Sequence, residues 1–396
     1  MKNISDFDFK DKKVLVRVDF NVPQNENLEV TDGTRISAVK PTLDLILNGG
    51  GAVILMTHLG RPKGEKNEKY SLKNIIPEIE KVLGRKLKFA EDALGDKTQE
   101  LVSELKGGEI LLLENLRFYS QEEKGDKDFA EKLSKYGDVY VNDAFGTAHR
   151  EHASTAVIAQ FFPETKFFGL LMENELKAID KVLNSGEKPV TAILGGSKVS
   201  TKITIIENIL PAIDNLIIGG GMAFTFIKAQ GGHIGNSLIE DDKMQLALEI
   251  LEEAKKHNVK VYLPTDTIVA KEFNNEAEQQ EVNIYEIPEG WMGLDAGSKT
   301  RLLFNDVIIN SKTILWNGPI GVFEMDNFAN GTIALGDSIA EATKMGAFSL
   351  VGGGDSVAFV KQFGYEDKVS YVSTGGGAML ESLEGLELPG VAAITK

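Results

Sequence analysis

The sequence predicts an α/β fold in which parallel sheets are covered by helices. Apolar runs of strand length alternate with stretches of helical periodicity almost from end to end of the chain, as expected for such sheets. The chain has 396 residues, which is more than one hydrophobic core usually serves. The runs also fall into two series. We therefore expect two doubly wound, Rossmann-like parallel-sheet domains joined by an interdomain helix and hinge.

Ten apolar runs are candidate strands, with four in the first series and six in the second. The first series comprises residues 13–20, 52–59, 109–116 and 138–145. The second comprises residues 190–196, 215–221, 259–264, 313–318, 347–354 and 369–377. Helical patterns lie between the runs, for example SLKNIIPEIEKVLG and DDKMQLALEILEEAKKH. This alternation indicates βα units rather than antiparallel hairpins.

The domain boundaries follow from a helical segment between the two series. Residues 170–184 carry apolar side chains at helical spacing and end at a Ser-Gly pair, a common helix stop. We expect a first domain over residues 1–169, an interdomain helix over 170–185 and a second domain over 186–388. The C-terminal tail, from about residue 389 to 396, is expected to pack back on the first domain.

Composition excludes several classes of protein. The formal charge of -16 disfavours a nucleic-acid or anionic-membrane binder, because the field of the whole chain repels polyanions. The sequence contains no cysteine, so it can form no disulfide, thiolate zinc site or cysteine nucleophile. Neither a signal-peptide pattern nor an apolar run of membrane-spanning length is apparent. We expect a cytoplasmic protein.

The first series of strands ends in polar and basic residues, where parallel α/β sheets bind ligands. Only seven of the 43 Lys and Arg residues are Arg, and four of the seven lie in or beside these loops. Guanidinium groups offer planar, bidentate donors to phosphate or carboxylate. Any one of them is as easily a surface residue or an ion-pair partner, but together they indicate a site for a phosphorylated acid. The four are Arg35, Arg61, Arg117 and Arg150.

Each of the other polar residues at these strand ends has two possible roles. His58 and His149 are possible bases, although a histidine beside anion-binding arginines is more often a hydrogen-bond donor. Asp19 and Asn21 either terminate a strand through turn hydrogen bonds or recognise a ligand hydroxyl. Their spacing of two residues places them on the same side of an extended strand.

The second series ends in glycine. Glycines after a strand let the backbone approach phosphates, and the next helix N-terminus supplies free amides; the alternative is tight packing of strand against helix. No GxxxxGK[ST] string occurs, and Phe224, Val357 and Leu380 stand where a GxGxxG motif needs its third glycine. The glycines are Gly195 and Gly196, Gly219 to Gly221, Gly352 to Gly354 and Gly375 to Gly377.

Charged residues near these glycines suit a nucleotide. Lys198 and Lys202 share a helix face if a helix starts near Lys198, and they either meet phosphate or form an exposed basic face. Asp355 is either a Mg2+ ligand or, with Ser356, a helix N-cap. Glu324 is either a ribose ligand or a surface carboxylate.

Nine strings, in order and over essentially the whole chain, resemble the phosphoglycerate kinase family. They are RVDFNVP (17–23), THLGRPKG (57–64), LLLENLRF (111–118), NDAFGTAHR (142–150), ILGGSKVSTKI (193–203), GGGMAFTF (219–226), WNGPIGVFE (316–324), GGGDS (352–356) and STGGGA (373–378). The resemblance implies reversible, Mg-dependent phosphoryl transfer between 1,3-bisphosphoglycerate and ADP, giving 3-phosphoglycerate and ATP. It also implies a monomer.

The resemblance also assigns residues. The first domain is expected to bind 3-phosphoglycerate through Asp19, Asn21, Arg35, His58, Arg61, Arg117 and Arg150. The second is expected to bind Mg-nucleotide through Gly195, Lys198, Lys202, Gly219, Gly220, Gly293, Asn317, Glu324, Gly352, Gly353, Gly354, Asp355 and Ser356, with Asp355 on Mg2+. Arg35, Lys198, Gly375 and Gly376 are implied to act on the transferred phosphoryl group. Ser298 and Ser356 depart from the family, which more often has proline and threonine there.

The reaction explains why no pair of base and orienting residue is evident. The attacking group is a nucleotide phosphate or a carboxylate, so positioning and charge stabilisation suffice. Hinge closure is expected to join the two half-sites and exclude water. Two rivals remain: an NAD-linked oxidoreductase, disfavoured by the missing third glycine, and a non-catalytic scaffold, disfavoured by the intact Arg35, Lys198 and Asp355.

Overall fold

The computed structural model describes residues 3–396, which divide into two compact units. Unit 1 contains residues 3–176 and 387–396, and unit 2 contains residues 177–386. No helix among the residues described is long and apolar enough to cross a bilayer.

A six-stranded parallel sheet forms the centre of unit 1. Its strand order is β3-β4-β2-β1-β5-β6, and every neighbouring pair is parallel. The strands are β1 (Lys13–Val18), β2 (Ala52–Met56), β3 (Lys88–Ala90), β4 (Ile110–Leu113), β5 (Val139–Asp143) and β6 (Lys166–Phe168). Every residue of β2, β4 and β5 is buried, because helices cover both faces of such a sheet.

The first α-helix of unit 1 buries an apolar stripe against this sheet. In α1 (Thr34–Asn48), Ile36, Val39, Leu43 and Ile46 recur at helical spacing and join the core cluster of the sheet. Full burial of one such side chain contributes about 1.5 to 3 kcal/mol. The other helices are α2 (Ile76–Leu83), α3 (Asp96–Glu104), α4 (Ser120–Glu123), α5 (Lys127–Ser134) and α6 (Leu170–Asp180).

The chain passes from unit 1 to unit 2 inside a helix. Unit 1 ends at Leu176 within α6, and the helix continues as a π-helical turn over Lys181–Ser185. At its N-terminus, Oδ1 of Asp143 accepts a hydrogen bond from the backbone N–H of Met172 at 3.0 Å. The helical segment expected over residues 170–184 is thus present.

Unit 2 contains a second six-stranded parallel sheet, with the order β10-β8-β7-β15-β16-β17. Antiparallel β12-β11-β14 and the short pair β13-β9 lie outside it. The strands are β7 (Val190–Leu194), β8 (Asn215–Ile218), β9 (His233–Ile234), β10 (Lys260–Tyr262), β11 (Asp266–Ala270), β12 (Gln279–Asn283), β13 (Glu286–Ile287), β14 (Met292–Ala296), β15 (Thr313–Asn317), β16 (Phe348–Val351) and β17 (Tyr371–Val372).

Aromatic side chains fill the core of unit 2. Trp316 of β15 is fully buried, its indole N–H donates to the carbonyl of Gly318 at 2.9 Å, and its ring lies 5.5 Å edge-on from Phe359. The indole therefore packs without an unsatisfied donor.

The helices of unit 2 are α7 (Ile203–Ile209), α8 (Met222–Ala229), α9 (Met244–Lys256), α10 (Ser298–Ile309), α11 (Asn330–Lys344), α12 (Gly354–Gln362) and α13 (Gly376–Leu383).

After unit 2, the chain returns to unit 1. The last helix, α14 (Pro389–Thr395), lies against unit 1: the N–H of Gly390 donates to the carbonyl of Ala148 at 2.8 Å, and Nζ of Lys166 donates to the carbonyl of Ala393 at 2.9 Å. The return segment therefore covers the β5 and β6 side of the first sheet.

The predicted fold class of two parallel α/β sheets is confirmed. All ten predicted runs contain a strand of the two large sheets. The predicted runs extend beyond the strands, because the apolar or glycine residues that follow each strand lie in loops or at the starts of helices. The two edge strands β3 and β6 and the small sheets were not predicted. Each edge strand has only three residues, and β12 reads QQEVN, so neither gives an apolar alternation.

Candidate active site

Polar side chains of unit 1 converge at one edge of its sheet. Strands β4, β2, β1 and β5 are consecutive neighbours, and all run in the same direction. Because they are parallel, the loops that follow them lie side by side. The sequence places Arg117 after β4, His58 after β2, Asp19 after β1 and Arg150 after β5.

Arg35 lies beside the loop after β1. It is the second residue of α1, and its Nη1 lies 3.0 Å from Oδ2 of Asp19 and 3.1 Å from the carbonyl oxygen of Asn21. Oδ1 of Asp19 also accepts from the N–H of Asn21 at 3.3 Å, so the turn hydrogen bond is present as well. Because one nitrogen makes both contacts, the other donors of the Arg35 fork remain for a ligand.

The loop after β2 links Asn21 to Arg117. The N–H of Gly60 donates to Oδ1 of Asn21 at 2.8 Å, and the Gly60 carbonyl accepts from Nη1 of Arg117 at 3.0 Å. Arg117 lies in a 3-10 turn capped by the side chain of Asn115, its side chain is only 13% exposed, and Nε is 3.6 Å from Glu123. Burial lowers its pKa, with a smaller opposing effect from Glu123.

His58 is buried below this cluster. Its Nδ1 is 3.3 Å from Nη2 of Arg17 and 4.0 Å from Oδ1 of Asp19. Burial holds the pKa of His58 well below its usual range, and the charges of Arg17, Arg117 and Arg35 lower it further. The imidazole is therefore neutral near pH 7 and has one N–H to donate.

The two remaining arginines lie at the surface. Arg61 is exposed in the loop after β2, and Arg150 is exposed in the loop after β5. Arg150 contributes to lowering the pKa of the nearby His152 to about 4, although burial is the larger cause. His149 lies half-buried in the same loop. Contacts thus join Arg35 to Asp19 and Asn21 directly and link Arg117 to Asn21 through Gly60, while His58 lies 4.0 Å from Asp19. The other predicted residues share only the edge.

Sequence reasoning missed a buried polar layer under the arginines. Arg17 is fully buried, its Nε donates to Oγ of Ser154 at 2.7 Å, and Ser154 donates in turn to Glu122. Burial raises the pKa of Glu122, although Arg17 opposes this rise. A signal existed in RVDFNVP, because alternation predicts that residues 17, 19 and 21 share one side of an extended chain, although β1 itself ends at Val18.

In unit 2, glycines follow five neighbouring strands of the large sheet. Strands β8, β7, β15, β16 and β17 are consecutive and parallel. The glycine runs after β8, β16 and β17 lead into α8, α12 and α13, so three helix N-termini open at one edge of the sheet.

Several of these glycines are required by packing. A Cβ at Gly195 would lie 2.1 Å from the Pro319 carbonyl oxygen, one at Gly219 would lie 2.4 Å from Ile320, and one at Gly352 would lie 2.1 Å from Met379. Gly220 and Gly353 have positive φ angles of 68° and 95°, which favour glycine. Packing therefore explains these positions without a ligand.

Gly354 and Gly376 differ, because packing does not explain them. A Cβ on Gly354 would meet nothing within 4 Å, and one on Gly376 would lie 3.7 Å from its nearest neighbour, Cα of Gly353. Neither has a φ angle in the left-handed region. Each begins a helix, where free backbone N–H groups suit an anion.

Lys202 fixes the side chain of Asn317, the last residue of β15. Its ammonium donates to Oδ1 of Asn317, and Nδ2 of Asn317 donates to the Gly352 carbonyl at 2.7 Å. Burial lowers the pKa of Lys202, while Asp355 acts in the opposite direction. Lys198 is exposed in extended backbone, and α7 begins only at Ile203. The two lysines therefore do not share the helix face on which their predicted pairing depended.

Asp355 is not a helix N-cap. The N-cap of α12 is Gly353, and the exposed Asp355 is the second helical residue. Ser356 is buried, and its Oγ accepts from the N–H of Gly318 at 2.6 Å. Among residues 3–396 no three His, Cys, Asp or Glu side chains are grouped to hold a metal ion. A single carboxylate is sufficient for Mg2+ when phosphates supply further oxygens.

A cavity of about 660 Å³ opens at the glycine edge of unit 2. Gly220, Gly293, Glu324 and Asp355 line it together with a wall of apolar side chains. Glu324 is exposed, and a Cβ on Gly293 would lie 2.2 Å from the Phe224 ring. The apolar residues are Phe224, Leu238, Phe273, Met292, Leu294, Ile320, Val322 and Met325.

Cationic side chains at one sheet edge and helix N-termini at another suit an α/β protein that binds phosphorylated ligands. The family model described as phosphoglycerate kinase matches residues 4–386. The chain therefore belongs to the phosphoglycerate kinase family.

Relatives and solved structures agree over the whole length. A phosphoglycerate kinase of Porphyromonas gingivalis is 52% identical, with 99% of each chain covered. The structure of phosphoglycerate kinase from Coxiella burnetii has 37% identity and a TM-score of 0.91, and covers 99% of this chain and 98% of its own. That from Pyrococcus horikoshii has 32% identity and a TM-score of 0.83, covering 100% and 98%.

Membership of this family fixes the reaction class. The protein is a glycolytic kinase whose substrates are a phosphoglycerate and ADP or ATP. The alternative of an NAD-linked oxidoreductase is therefore wrong.

Proposed function

We propose that unit 1 binds 3-phosphoglycerate or 1,3-bisphosphoglycerate and that unit 2 binds the Mg-nucleotide. The observation that carries this assignment is the contrast between the two sheet edges. Four neighbouring strands of unit 1 end in arginine, histidine and acidic or amide side chains. Five neighbouring strands of unit 2 end in glycines, and three of them lead into helix N-termini. A small anionic acid suits the first edge, and a polyphosphate suits the second.

In unit 1, we assign the phosphate and carboxylate of the acid to Arg61, Arg117, Arg150 and His58. Arg35 extends to the migrating phosphoryl group with the donors that Asp19 leaves unused. Asp19 and Asn21 receive the hydroxyl of the substrate. Arg35 and Arg117 each form an ion pair, and Arg117 is the less exposed of the two. Its hydrogen bonds are therefore the more strongly desolvated.

In unit 2, the phosphates lie at the N-termini of α12 and α13, where Gly354 and Gly376 leave room for close approach. Gly375 is the N-cap of α13. Lys198 and Lys202 supply positive charge, and Asn317 is oriented by Lys202 and Gly352. The base occupies the apolar cavity, with Glu324 at the ribose. In this arrangement, the closely packed walls of the nucleotide site are formed by Gly195, Gly219, Gly220 and Gly293.

Catalysis in this scheme depends on charge and position. A carboxylate attacks the terminal phosphate of ATP in one direction, and ADP attacks an acyl phosphate in the other, so no residue has to remove a proton. Arg35 and Lys198 stabilise the charge on the phosphoryl group in flight, and the amides of Gly375 and Gly376 donate to its equatorial oxygens. Asp355, together with nucleotide oxygens, would hold Mg2+, which when bound would neutralise phosphate charge.

We also propose that the enzyme is a cytoplasmic monomer and that hinge bending accompanies the reaction. The resemblance to the family supports the monomer and the hinge, and the lack of cysteine in the sequence is consistent with a reducing compartment.

An assay of ATP-dependent phosphorylation of 3-phosphoglycerate, with and without Mg2+, tests this proposal. We expect product only with Mg2+, and we expect Asp355→Asn to raise the Mg2+ concentration needed for half-maximal rate. Asp367→Asn is the matched control, because this residue lies in a 3-10 turn outside the glycine edge. Equal rates in the presence and absence of Mg2+ after chelation would refute the metal assignment.

A further inference from the structure

Among the residues that the structure describes, Arg17 is the one arginine of unit 1 that is fully buried, and it lies at the proposed substrate edge. Its three nitrogens contact three different groups: Nε donates to Oγ of Ser154, Nη1 donates to the carbonyl of Val18, and Nη2 lies 3.3 Å from Nδ1 of His58. Ser154 also donates to Glu122. The guanidinium is thus fixed from several sides, and its position relative to His58 is set by the fold.

This contact restricts where His58 can carry its proton. A guanidinium has only N–H donors and keeps its charge at all accessible pH values. If Nδ1 of His58 were protonated, two N–H groups would face each other at 3.3 Å. Only an unprotonated Nδ1 can accept from Arg17. A neutral imidazole with an acceptor at Nδ1 carries its proton on Nε2.

The surroundings of His58 favour the same state. Cationic groups near it are Arg17, Arg35 and Arg117, with His152 also adjacent. The carboxylate that faces it, Asp19, is 4.0 Å from Nδ1, which is too far for a hydrogen bond that would hold a proton there. Among the residues the structure describes, no hydrogen-bond partner is found for Nε2.

We propose that Arg17 is a positioning residue that holds His58 in the neutral tautomer with the proton on Nε2. His58 then presents one N–H to the anionic substrate over the whole working pH range, without needing to be protonated first. The substrate part of this inference rests on the proposed role of unit 1, whereas the tautomer is a property of the free protein.

Nitrogen-15 NMR of the imidazole in the ligand-free wild-type protein tests the tautomer directly. Long-range proton–nitrogen correlation separates the two ring nitrogens, and His58→Gln identifies the resonances. We expect Nδ1 to have the shift of an unprotonated nitrogen and Nε2 that of a protonated one, unchanged from pH 6 to pH 8. A protonated Nδ1, or two equivalent nitrogens, would overturn the proposal.

Arg17→Met tests whether the arginine is the cause. We expect a mixture of tautomers and a rise in the pKa of His58, since the charge and the donor are both lost. An unchanged tautomer and pKa in a folded variant would overturn the role of Arg17. If the variant does not fold, Arg17→Lys serves instead, because one ammonium cannot replace all three contacts.

Two substitutions of His58 test whether an N–H at the position of Nε2 binds the substrate. Glutamine places an amide nitrogen as many bonds from the backbone as Nε2, and asparagine places one at the position of Nδ1. We expect His58→Gln to keep the dissociation constant for 3-phosphoglycerate within about threefold and His58→Asn to raise it more than about tenfold. The reverse order would overturn the proposal.

Titration of the wild-type protein with 3-phosphoglycerate tests the role of His58 as a substrate donor separately from its tautomer. We expect the Nε2 resonance to shift on binding. If the free protein has the expected tautomer but binding leaves Nε2 unaffected, then the donor role of His58 and its place in the proposed substrate site are wrong, while the action of Arg17 on the tautomer stands.

Discussion

Nη1 of Arg117 donates a hydrogen bond to the carbonyl oxygen of Gly60 at 3.0 Å. This bond ties the loop after β4 to the loop after β2, and the N–H of the same Gly60 donates to Oδ1 of Asn21 in the loop after β1. The backbone of one residue, Gly60, therefore links two candidate substrate residues that follow different strands. Loss of either side chain is expected to disturb the other.

Arg117→Ala should weaken binding of 3-phosphoglycerate by more than about tenfold, since a charged hydrogen bond contributes about 1.5 to 3 kcal/mol. Binding of ADP should be unchanged. Calorimetric titration with each ligand measures both values. Arg85→Ala is the matched control, because Arg85 is an arginine of unit 1 whose Nη2 donates to Oδ1 of Asn48 at 3.0 Å. Lost ADP affinity with normal 3-phosphoglycerate affinity would place Arg117 in the wrong site.

Lys198→Ala should lower kcat by about a hundredfold or more and change ligand binding much less, because the charge that the ammonium meets is greatest in the transition state. Lys202→Ala should mainly raise KM for the nucleotide, since Lys202 orients Asn317. Steady-state kinetics of both variants separate the effects. The exposed Lys228 at the end of α8 provides a control, and a near-normal kcat for Lys198→Ala would show that another cation acts on the phosphoryl group.

Gly376→Ala should reduce activity without reducing stability. The added Cβ would lie 3.7 Å from the nearest protein atom, and replacing glycine by alanine where the backbone conformation permits it stabilises a protein by about 0.4 to 1 kcal/mol, because the unfolded chain loses conformational freedom. A bound phosphate, however, would lose its close approach. Thermal unfolding and kcat together test this. Gly352→Ala is the contrasting variant, because its Cβ would clash with Met379 at 2.1 Å and should lower Tm. Full activity of Gly376→Ala would remove α13 from the phosphate site.

Asp143→Asn should stabilise unit 1 at alkaline pH. Burial raises the pKa of Asp143 to about 7, although hydrogen bonds from Thr42 and from the start of α6 oppose the rise. A folded-state pKa above the unfolded value means that the stability is fully present below about pH 4 and is lost as the pH rises through about 7. Asparagine does not titrate and still accepts the backbone bonds.

Calorimetric melting at pH 5.5 and pH 8 checks this prediction. We expect the Tm of Asp143→Asn to exceed that of the wild type by about 2 to 8 °C at pH 8, corresponding to about 1 to 2 kcal/mol. The gain should be smaller at pH 5.5. The exposed Asp128 of α5 is the control residue, whose amide variant should show no pH-dependent gain. A pH-independent gain for Asp143→Asn would mean that packing, and not ionisation, is responsible.

Ten strands of the two large sheets could be predicted from the sequence because they lie in long apolar runs. The small sheets of unit 2 could not be predicted, because β12 is polar and β9 and β13 have two residues each. Such strands depend on their neighbours rather than on their own hydrophobicity. The same holds for Lys198, whose extended backbone is set by the loop after β7 and not by local helix propensity.

Residue types alone could not separate the two kinds of glycine. Gly352 and Gly354 stand two positions apart in one triplet, yet only Gly352 is closely surrounded. The difference arises from Met379, which is distant in sequence. Arg17 was missed for a similar reason. Its partners Glu122 and Ser154 come from segments more than a hundred residues away in the chain, and a single sequence does not show that they meet.

The return of the chain to unit 1 has a consequence for biosynthesis. Residues 387–396 contribute α14, which bonds to Ala148 and Lys166 of unit 1, and the ribosome makes them only after all of unit 2. Unit 2 is one continuous segment and can fold as soon as it has emerged. Unit 1, although begun first, acquires its last helix afterwards, so the order of completion during translation is the reverse of the order of initiation.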